Sequence, residues 1–155
     1  LKELNVGIKQ SLKQQGNDID STKDGMDAAI VSIVGNKLQY AGANRPLWII
    51  RNGELIETKA TKAAVAGFTP NEQHYDLHEI ELLPGDSVYM TTDGYPDQFG
   101  GIKGKKFKLK QMKELLLECN SASMEEQRDI LEQTIVDWMG ALEQIDDICI
   151  VGIRV

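Results

Sequence analysis

Apolar side chains in the first part of the chain follow a helical period and then give way to polar residues. The period is carried by Leu1, Leu4, Ile8 and Leu12. It predicts a helix over residues 1–15, with Gly16 as its C-terminal stop and a loop over residues 17–25. The apolar face is already established at the first residue, with no capping side chain and no initiator Met before it. We therefore expect the chain to be a piece of a longer protein.

Short segments rich in β-branched and aromatic residues come next, separated by turn-forming dipeptides. Gly35-Asn36 and Asn52-Gly53 are typical of tight hairpin turns. The pattern predicts about six antiparallel strands. They cover residues 28–34, 38–43, 47–51, 54–58, 75–82 and 87–92.

The period of the apolar positions changes again after residue 100. One predicted helix carries Leu109, Met112, Leu115, Leu116 and Cys119. A second begins at Ser123, which forms a capping-box signature with Glu126. Its inner face consists of Gln127, Leu131, Ile135, Trp138 and Leu142. Residues 148–155 are predicted to form a last strand. This order of elements predicts an α+β domain in which helices pack on antiparallel sheets.

Composition fits one soluble globular domain. The chain has 155 residues, of which 41% are hydrophobic and 26% are charged. The apolar run at residues 28–31 is far shorter than the roughly 20 residues that a membrane span needs. Cys119 and Cys149 lack the spacing of metal ligands, so we expect free buried thiols and a cytoplasmic protein.

The charge of the chain is unevenly distributed. The formal net charge is −7, and all of it comes from residues 78–155, because residues 1–77 are balanced. This distribution argues against a nucleic-acid partner, which would require a dense basic face. One basic cluster stands against the acidic background, at Lys103, Lys105, Lys106, Lys108, Lys110 and Lys113. It is either a solvated loop and helix start or a docking patch for an acidic partner.

Two acidic clusters occur at the ends of predicted strands. Asp93 and Asp97 follow residues 87–90, and Asp146 and Asp147 precede residues 148–151. Each cluster alone is typical of a turn. Strand ends can converge on one edge of a sheet, and carboxylates held there repel each other unless a cation lies between them. Oxygen ligands suit Mg²⁺ or Mn²⁺, which can activate water and stabilise charge on a phosphoryl group.

A series of short motifs runs through nearly the whole chain. They are DGMDAA at 24–29, LQYAGANRPL at 38–47, NGEL at 52–55, LPGDSVYMTTDG at 83–94, DQFGG at 97–101 and QIDDI at 144–148. In order and spacing they resemble the C-terminal part of a SpoIIE-type serine/threonine phosphatase domain, within the metal-dependent PPM phosphatase superfamily.

The resemblance implies a fold, a reaction and a set of ligands. The fold is an α-β-β-α sandwich of antiparallel sheets with packed helices and a dinuclear Mn²⁺ or Mg²⁺ centre. The reaction is hydrolysis of phosphoserine or phosphothreonine by a metal-bound water. Asp93, followed by Gly94, matches a metal-ligating aspartate, and Asp147, preceded by Asp146, matches another. Asp97 matches an acid that helps to hold an additional metal in some members.

Two motifs of the resemblance are missing from this sequence. The Gly-Asp and Asp-x-x-Gly-His-Gly motifs, which supply further metal ligands on earlier strands, do not occur. Residues 1–155 are therefore expected to form the C-terminal portion of a single phosphatase domain, truncated at the N-terminus. Without the earlier strands, exposed sheet edges are expected to pair with a second copy, be covered by loops or fray.

These observations lead to one main functional hypothesis and two alternatives. The parent protein is expected to act on a phosphorylated protein in bacterial signalling or sigma-factor regulation, and this chain alone is expected to show little or no activity. No nucleic-acid or membrane contact is expected, and a homodimer through sheet edges is possible. The alternatives are a non-catalytic protein-binding module with a phosphatase-like scaffold and a purely structural α+β domain.

Overall fold

The computed structural model describes residues 1–14 and 23–155 and divides the chain into two compact units. The first unit contains Leu1–Leu47 and Glu57–Leu82, and the second contains Trp48–Ile56 and Leu83–Val155. Gly16, the predicted helix stop, and most of the predicted loop over residues 17–25 lie outside the described residues.

The described residues form helices and strands in an order close to the predicted one. In chain order these are α1 (Lys2–Ser11), β1 (Gly25–Met26), β2 (Ala28–Val34), β3 (Lys37–Ala43), β4 (Leu47–Arg51), β5 (Glu54–Thr58), β6 (Val65–Ala66), β7 (His78–Glu81), β8 (Ser87–Thr91), α2 (Gly94–Asp97), β9 (Phe99–Gly100), β10 (Lys105–Lys106), α3 (Leu109–Glu118), α4 (Met124–Met139) and β11 (Ile150–Arg154). The predicted mixture of helices and antiparallel sheets is confirmed, and several two-residue strands that the sequence pattern did not indicate are added.

The first unit combines helix α1 with two small antiparallel sheets. One sheet has the order β2-β3-β7, and the other is the pair β1-β6. The predicted strand over residues 75–82 is shorter than expected, because β7 covers only His78–Glu81. Tyr75 is instead buried, and its hydroxyl donates a hydrogen bond to the Ala64 carbonyl oxygen at 2.7 Å. This contact directs residue 75 into the core of the unit rather than into the sheet.

Helix α1 buries two polar side chains that its apolar period did not indicate. Asn5 is fully buried and Lys9 nearly so, whereas Leu4 and Leu12 are 38% and 50% exposed. Asn5 donates from Nδ2 to the Pro70 carbonyl oxygen at 2.8 Å and accepts from the Ala66 backbone N–H at 2.7 Å. The apolar face predicted from Leu1, Leu4, Ile8 and Leu12 was therefore only partly correct. Leu1 and Ile8 pack against the core of the unit, whereas the buried Asn5 pairs with backbone more than sixty residues away.

Replacing Asn5 with Ala is expected to destabilise the first unit by about 2 kcal/mol, because the buried Ala66 N–H would lose its acceptor. Hydrogen exchange at the Ala66 amide should become faster, while amides in β8 should be unaffected. Gln10→Ala, at an exposed position of the same helix, is the control. An unchanged exchange rate at Ala66 would show that these hydrogen bonds contribute little.

The second unit is built on a four-stranded sheet with the order β11-β8-β4-β5. Helices α3 and α4 supply apolar side chains to its core. The buried members of this core are Trp48, Ile50, Tyr89, Tyr95, Phe107, Met112, Leu116, Leu131 and Ile135. Within the described residues, β11 and β5 are the edges of this sheet. The core therefore depends on two helices that lie in sequence between β8 and β11, two neighbouring strands of the sheet.

Helix α4 begins as its sequence predicts. The Ser123 hydroxyl accepts from the Glu126 N–H, and the Glu126 carboxylate accepts from the Ser123 N–H, so both halves of the capping box form. The hydrogen bonds that the Glu126 carboxylate accepts from the Ser123 N–H and hydroxyl hold its pKa below the usual value. Of the predicted inner face, Leu142 lies beyond the helix and is 47% exposed. Gly140 has a φ of 58° and ends the helix before that residue.

The cysteine prediction was correct in one respect and wrong in another. Cys119 and Cys149 are both free. Cys119 is buried, and burial raises the pKa of its thiol. Cys149 is exposed and lies immediately before the edge strand β11. Among the described residues, no helix is long and apolar enough to cross a membrane.

Candidate metal centre

The pairing of β8 with β11 brings the two predicted acidic clusters to the same edge of the sheet. These strands are antiparallel, and the last residue of β8, Thr91, lies opposite the first residue of β11, Ile150. The segment after β8 therefore meets the segment before β11. Asp93 and Asp147 lie in these two segments. The convergence that the sequence predicted is thus present in the backbone of the second unit.

Thr92 joins the two segments by hydrogen bonds from both its backbone and its side chain. Its backbone N–H donates to the Cys149 carbonyl oxygen at 3.0 Å, and its hydroxyl donates to the Asp147 carbonyl oxygen at 2.8 Å. The same hydroxyl accepts from the Cys149 N–H at 3.0 Å. Thr92 thus extends the ladder by one residue and fixes the backbone of Asp147 beside Asp93. Sequence analysis did not single out Thr92, because its partners lie more than fifty residues away.

Gly94 allows the two segments to approach closely. A Cβ atom at this position would lie 2.5 Å from the Asp147 carbonyl oxygen and 2.9 Å from its carbonyl carbon. Both neighbours are backbone atoms, so neither could move aside without shifting the segment before β11. Gly94 is therefore needed for the close packing of the Asp93 turn against the backbone of Asp147, a role that the sequence motif alone does not indicate.

Helix α2, which begins after Asp93, is attached to the core by Tyr95. The Tyr95 hydroxyl donates to the Leu131 carbonyl oxygen at 2.9 Å, and its ring meets that of Phe107 edge to face at 5.1 Å. Burial raises the pKa of Tyr95 above its ordinary value. A neutral, buried tyrosine thus fixes the turn that presents Asp93.

Asp97 is already paired with a cation from the chain. Lys106 Nζ lies 2.8 Å from Asp97 Oδ2, and the two side chains are 46% and 43% exposed. A metal ion at Asp97 Oδ2 would compete with the lysine for the same oxygen. In its surroundings Asp97 therefore differs from Asp147, whose carboxylate is exposed.

The adjacent residues Asp146 and Asp147 have different surroundings. Asp146 Oδ1 accepts the Asp147 backbone N–H at 2.8 Å, which shapes the turn before β11. The Asp147 side chain is exposed, and in the described part of the chain its carboxylate has no hydrogen-bond or ion-pair partner. Of the pair, Asp147 is the carboxylate available to a ligand.

The donor chemistry of this edge fits a hard divalent cation, but the donors present are few. Carboxylate oxygens suit Mg²⁺ and Mn²⁺, and Mg²⁺ commonly retains several waters beside one or two carboxylates. Among residues 1–14 and 23–155, no three His, Cys, Asp or Glu side chains form a group that could hold a metal ion. Asp93 and Asp147 can therefore supply part of a coordination sphere, which other donors must complete.

Solved structures similar to this chain are phosphatase domains. The SiaA-PP2C domain of Pseudomonas aeruginosa matches with a TM-score of 0.80 and 27% identity, over 97% of this chain and 59% of that one. The phosphatase domain of the cell fate determinant SpoIIE from Bacillus subtilis matches with a TM-score of 0.62 and 18% identity, over 97% and 63%. The Mycobacterium tuberculosis serine/threonine phosphatase PstP/Ppp matches with a TM-score of 0.59 and 15% identity, over 96% and 66%.

The fold is therefore that of PP2C-type serine/threonine phosphatase domains, as the sequence resemblance implied. The chain spans about three-fifths of the length of these structures. The sequence profile of Stage II sporulation protein E (SpoIIE) matches residues 1–155, so the chain belongs to the SpoIIE family. No curated protein sequence matches it.

Proposed function

We propose that this chain is part of a serine/threonine protein phosphatase that uses Mn²⁺ or Mg²⁺. The observation that carries the proposal is the convergence of Asp93 and Asp147 through the pairing of β8 with β11, in a chain that matches the SpoIIE family over its whole length. A divalent cation bound at this edge would supply a Lewis acid for the phosphoryl group and would activate water.

In this proposal the residues of the edge have separate tasks. Asp93 and Asp147 ligate the cation, and Asp146 orients Asp147 through the hydrogen bond to its N–H. Gly94 and Thr92 fix the distance between the two segments. Asp97 is a secondary ligand only if Lys106 releases it.

The remaining donors are proposed to come from outside the described residues. The absence of a three-donor group among the described residues supports this view, as does the share of each relative that the chain spans. We therefore expect the 155-residue chain alone to bind Mn²⁺ weakly and to hydrolyse phosphopeptides slowly, if at all. Its place as the C-terminal portion of a single phosphatase domain belongs to the same proposal.

The same lack of a three-donor group supports a second candidate, a non-catalytic module that presents a phosphatase-like scaffold to a partner protein. The Asp147 carboxylate argues against this candidate. Two neighbouring carboxylates repel each other, so in a scaffold that binds no cation an exposed carboxylate in the segment beside Asp93 would only be unfavourable.

We also propose a substrate class, a cellular location and a mode of assembly, each from a more general observation than the metal site. By analogy with the family, the substrate is a phosphorylated protein in a bacterial signalling or sigma-factor pathway. Two free thiols suit a reducing cytoplasm. The edges at β11 and β5 could pair with a second copy of the chain.

Metal removal tests the main proposal. The full-length protein should hydrolyse a phosphoserine peptide in the presence of Mn²⁺, and EDTA should lower the rate by more than about 100-fold. The 155-residue chain alone, assayed in parallel, should be close to the uncatalysed rate. Hydrolysis that EDTA leaves unchanged would contradict metal-dependent catalysis. Phosphopeptide binding without any turnover would favour the binding module instead.

A further inference from the structure

A concentration of positive charge surrounds strands β9 and β10. Residues 97–113 contain six lysines and a single acidic residue, Asp97, in a chain whose net charge is −7. We call residues 98–110 the basic hairpin. Its exposed lysines are Lys103, Lys105, Lys106, Lys108 and Lys110. No step of the proposed catalytic chemistry uses these lysines.

The basic hairpin is fixed to the helix that begins after Asp93. Lys108 N donates to the Pro96 carbonyl oxygen of that helix at 2.7 Å, and within the hairpin Phe107 N donates to the Gln98 carbonyl oxygen at 2.9 Å. The Lys106–Asp97 ion pair adds a side-chain contact to the same helix. The basic hairpin is therefore attached to α2, the short helix that directly follows Asp93.

Helix α4 fixes the other side of the basic hairpin. Trp138 Nε1 donates to the Gln98 carbonyl oxygen at 3.1 Å, and the Trp138 carbonyl oxygen accepts from Gly101 N at 2.7 Å. A Cβ atom at Gly100 would lie 1.9 Å from that same carbonyl oxygen, so the glycine allows the close approach. These contacts make the basic hairpin an ordered surface.

Three of the lysines are available for a partner. Lys103, Lys105 and Lys108 are exposed and, in the part of the chain that the structure describes, have no hydrogen-bond or ion-pair partner. Lys108 also has a φ of 80°, a left-handed conformation that non-glycine residues seldom adopt and that directs the chain from β10 into α3. The surface thus presents uncompensated positive charge on a hairpin attached to the helix that follows Asp93.

We propose that the basic hairpin docks an acidic segment of the phosphoprotein substrate next to the phosphorylated residue, an inference that rests on the proposed function. Lysines at the rim of a site attract acidic partners and raise the rate of encounter. The rest of the chain is acidic and repels extended anionic surfaces such as duplex DNA or an anionic bilayer. A short acidic peptide segment avoids that repulsion because it contacts the hairpin alone.

The test measures binding separately from turnover. The full-length protein in EDTA is titrated against two fluorescent phosphoserine peptides, one flanked by glutamates and one flanked by alanines. The variant K103S/K105S/K108S removes the three unpaired charges. Its matched control, K37S/K59S/K62S, removes three exposed lysines of the first unit and changes the net charge equally. The double variant K103S/K105S, with both changes at turn and strand surface positions, serves if the triple variant fails to fold.

The glutamate-flanked peptide is expected to bind more tightly than the alanine-flanked one, and added salt should reduce this preference. The hairpin variant should lose about 10-fold in affinity for the glutamate-flanked peptide, the double variant about 5-fold, and the control less than about 2-fold. Equal binding of the two peptides, or equal losses in hairpin and control variants, would overturn the proposal. So would tighter binding to phosphatidylglycerol vesicles or duplex DNA than to the acidic peptide.

Hydrolysis of the same peptides with Mn²⁺ separates the two proposals. If peptide binding depends on the hairpin lysines but no peptide is hydrolysed, the phosphatase function would be contradicted and the docking surface for acidic peptides would still stand. Turnover of both peptides at rates that the hairpin variant does not change would contradict the docking surface and leave the phosphatase function intact. Cleavage of p-nitrophenyl phosphate, which has no flanking residues, should be equal in the wild-type protein and in all three variants.

Discussion

Replacing Asp147 with Asn in the full-length protein is expected to weaken Mn²⁺ binding by more than about 100-fold. Mutating a residue that only hydrogen-bonds to a metal ligand already lowers metal affinity by about 10–100-fold, and Asp147 is proposed to be a ligand itself. The substitution keeps the size of the side chain and the Asp147 backbone hydrogen bonds to Thr92 and Asp146, so it removes charge rather than structure. Hydrolysis of a phosphoserine peptide should fall at least in proportion. Calorimetric titration with Mn²⁺ measures the first effect, and a steady-state assay measures the second.

Asp93→Asn should give a loss of similar size, because the two carboxylates are proposed to share one cation. The double variant should therefore lose little more than either single variant. Asp137→Asn, on the exposed face of α4, is the matched control and should bind Mn²⁺ normally. Unchanged Mn²⁺ affinity in Asp147→Asn would show that the cation does not bind at this edge.

The second large effect is expected from Asp86→Ala, which should destabilise the second unit by about 3 kcal/mol. Asp86 is buried, with a side chain only 2% exposed, and it accepts hydrogen bonds from Arg51 Nε at 2.9 Å and from one Arg51 terminal nitrogen at 2.6 Å. It also accepts the Leu83 N–H at 2.9 Å, which closes the turn before β8. Removing the carboxylate leaves both donors without this acceptor.

Urea unfolding followed by tryptophan fluorescence measures this change, because Trp48 and Trp138 both lie in the unit that contains Asp86. Asp129→Ala is the control, since Asp129 forms a solvent-exposed pair with Arg128 and should leave the unfolding midpoint unchanged. A midpoint for Asp86→Ala equal to that of the control would contradict the prediction.

The same carboxylate predicts a pH dependence. The hydrogen bonds from Arg51 hold the pKa of Asp86 below its ordinary value, so the folded state favours the ionised form. The stability that this supplies is present above the ordinary pKa of about 4 and is lost as the pH falls through the lowered value. The difference in unfolding free energy between the wild-type protein and Asp86→Ala should therefore shrink as the pH is lowered below about 4.

The parts of the fold that depend on neighbouring residues were predicted closely. The expected strands at residues 28–34, 47–51 and 54–58 have the bounds of β2, β4 and β5. Asn52 and Gly53 have φ values of 51° and 78°, the left-handed pair that a two-residue hairpin turn requires. Alternation and turn chemistry are local signals, which is why they could be recognised in the sequence.

The features that sequence analysis missed are set by distant contacts. Asn5 is buried because it pairs with the Ala66 N–H of β6 and with the Pro70 carbonyl oxygen, and no periodic pattern records contacts that are more than sixty residues apart. Strands β1 and β6 have two residues each, too few to show alternation. The Lys106–Asp97 pair, which neutralises one predicted ligand, likewise depends on how the hairpin returns to α2.

The candidate site was predictable in its position but not in its details. Two acidic clusters at strand ends indicated that their segments can converge on one edge of a sheet, and the β8–β11 register brings these backbone segments together. The role of these residues in metal binding stays a prediction. Thr92, which hydrogen-bonds across the two segments, could not be found because a threonine after a strand has no distinctive signal.

The pairing of β8 with β11 also determines when the site can form during synthesis. Asp147 follows Thr92 by 55 residues, and these include both long helices of the second unit. At about 5–20 residues per second, the ribosome adds this stretch in roughly 3–11 s. Throughout that interval the Asp93 turn has no partner strand and β8 is an open edge. A nascent chain of this protein therefore has the greatest need of chaperone protection after β8 has left the exit tunnel and before β11 follows it.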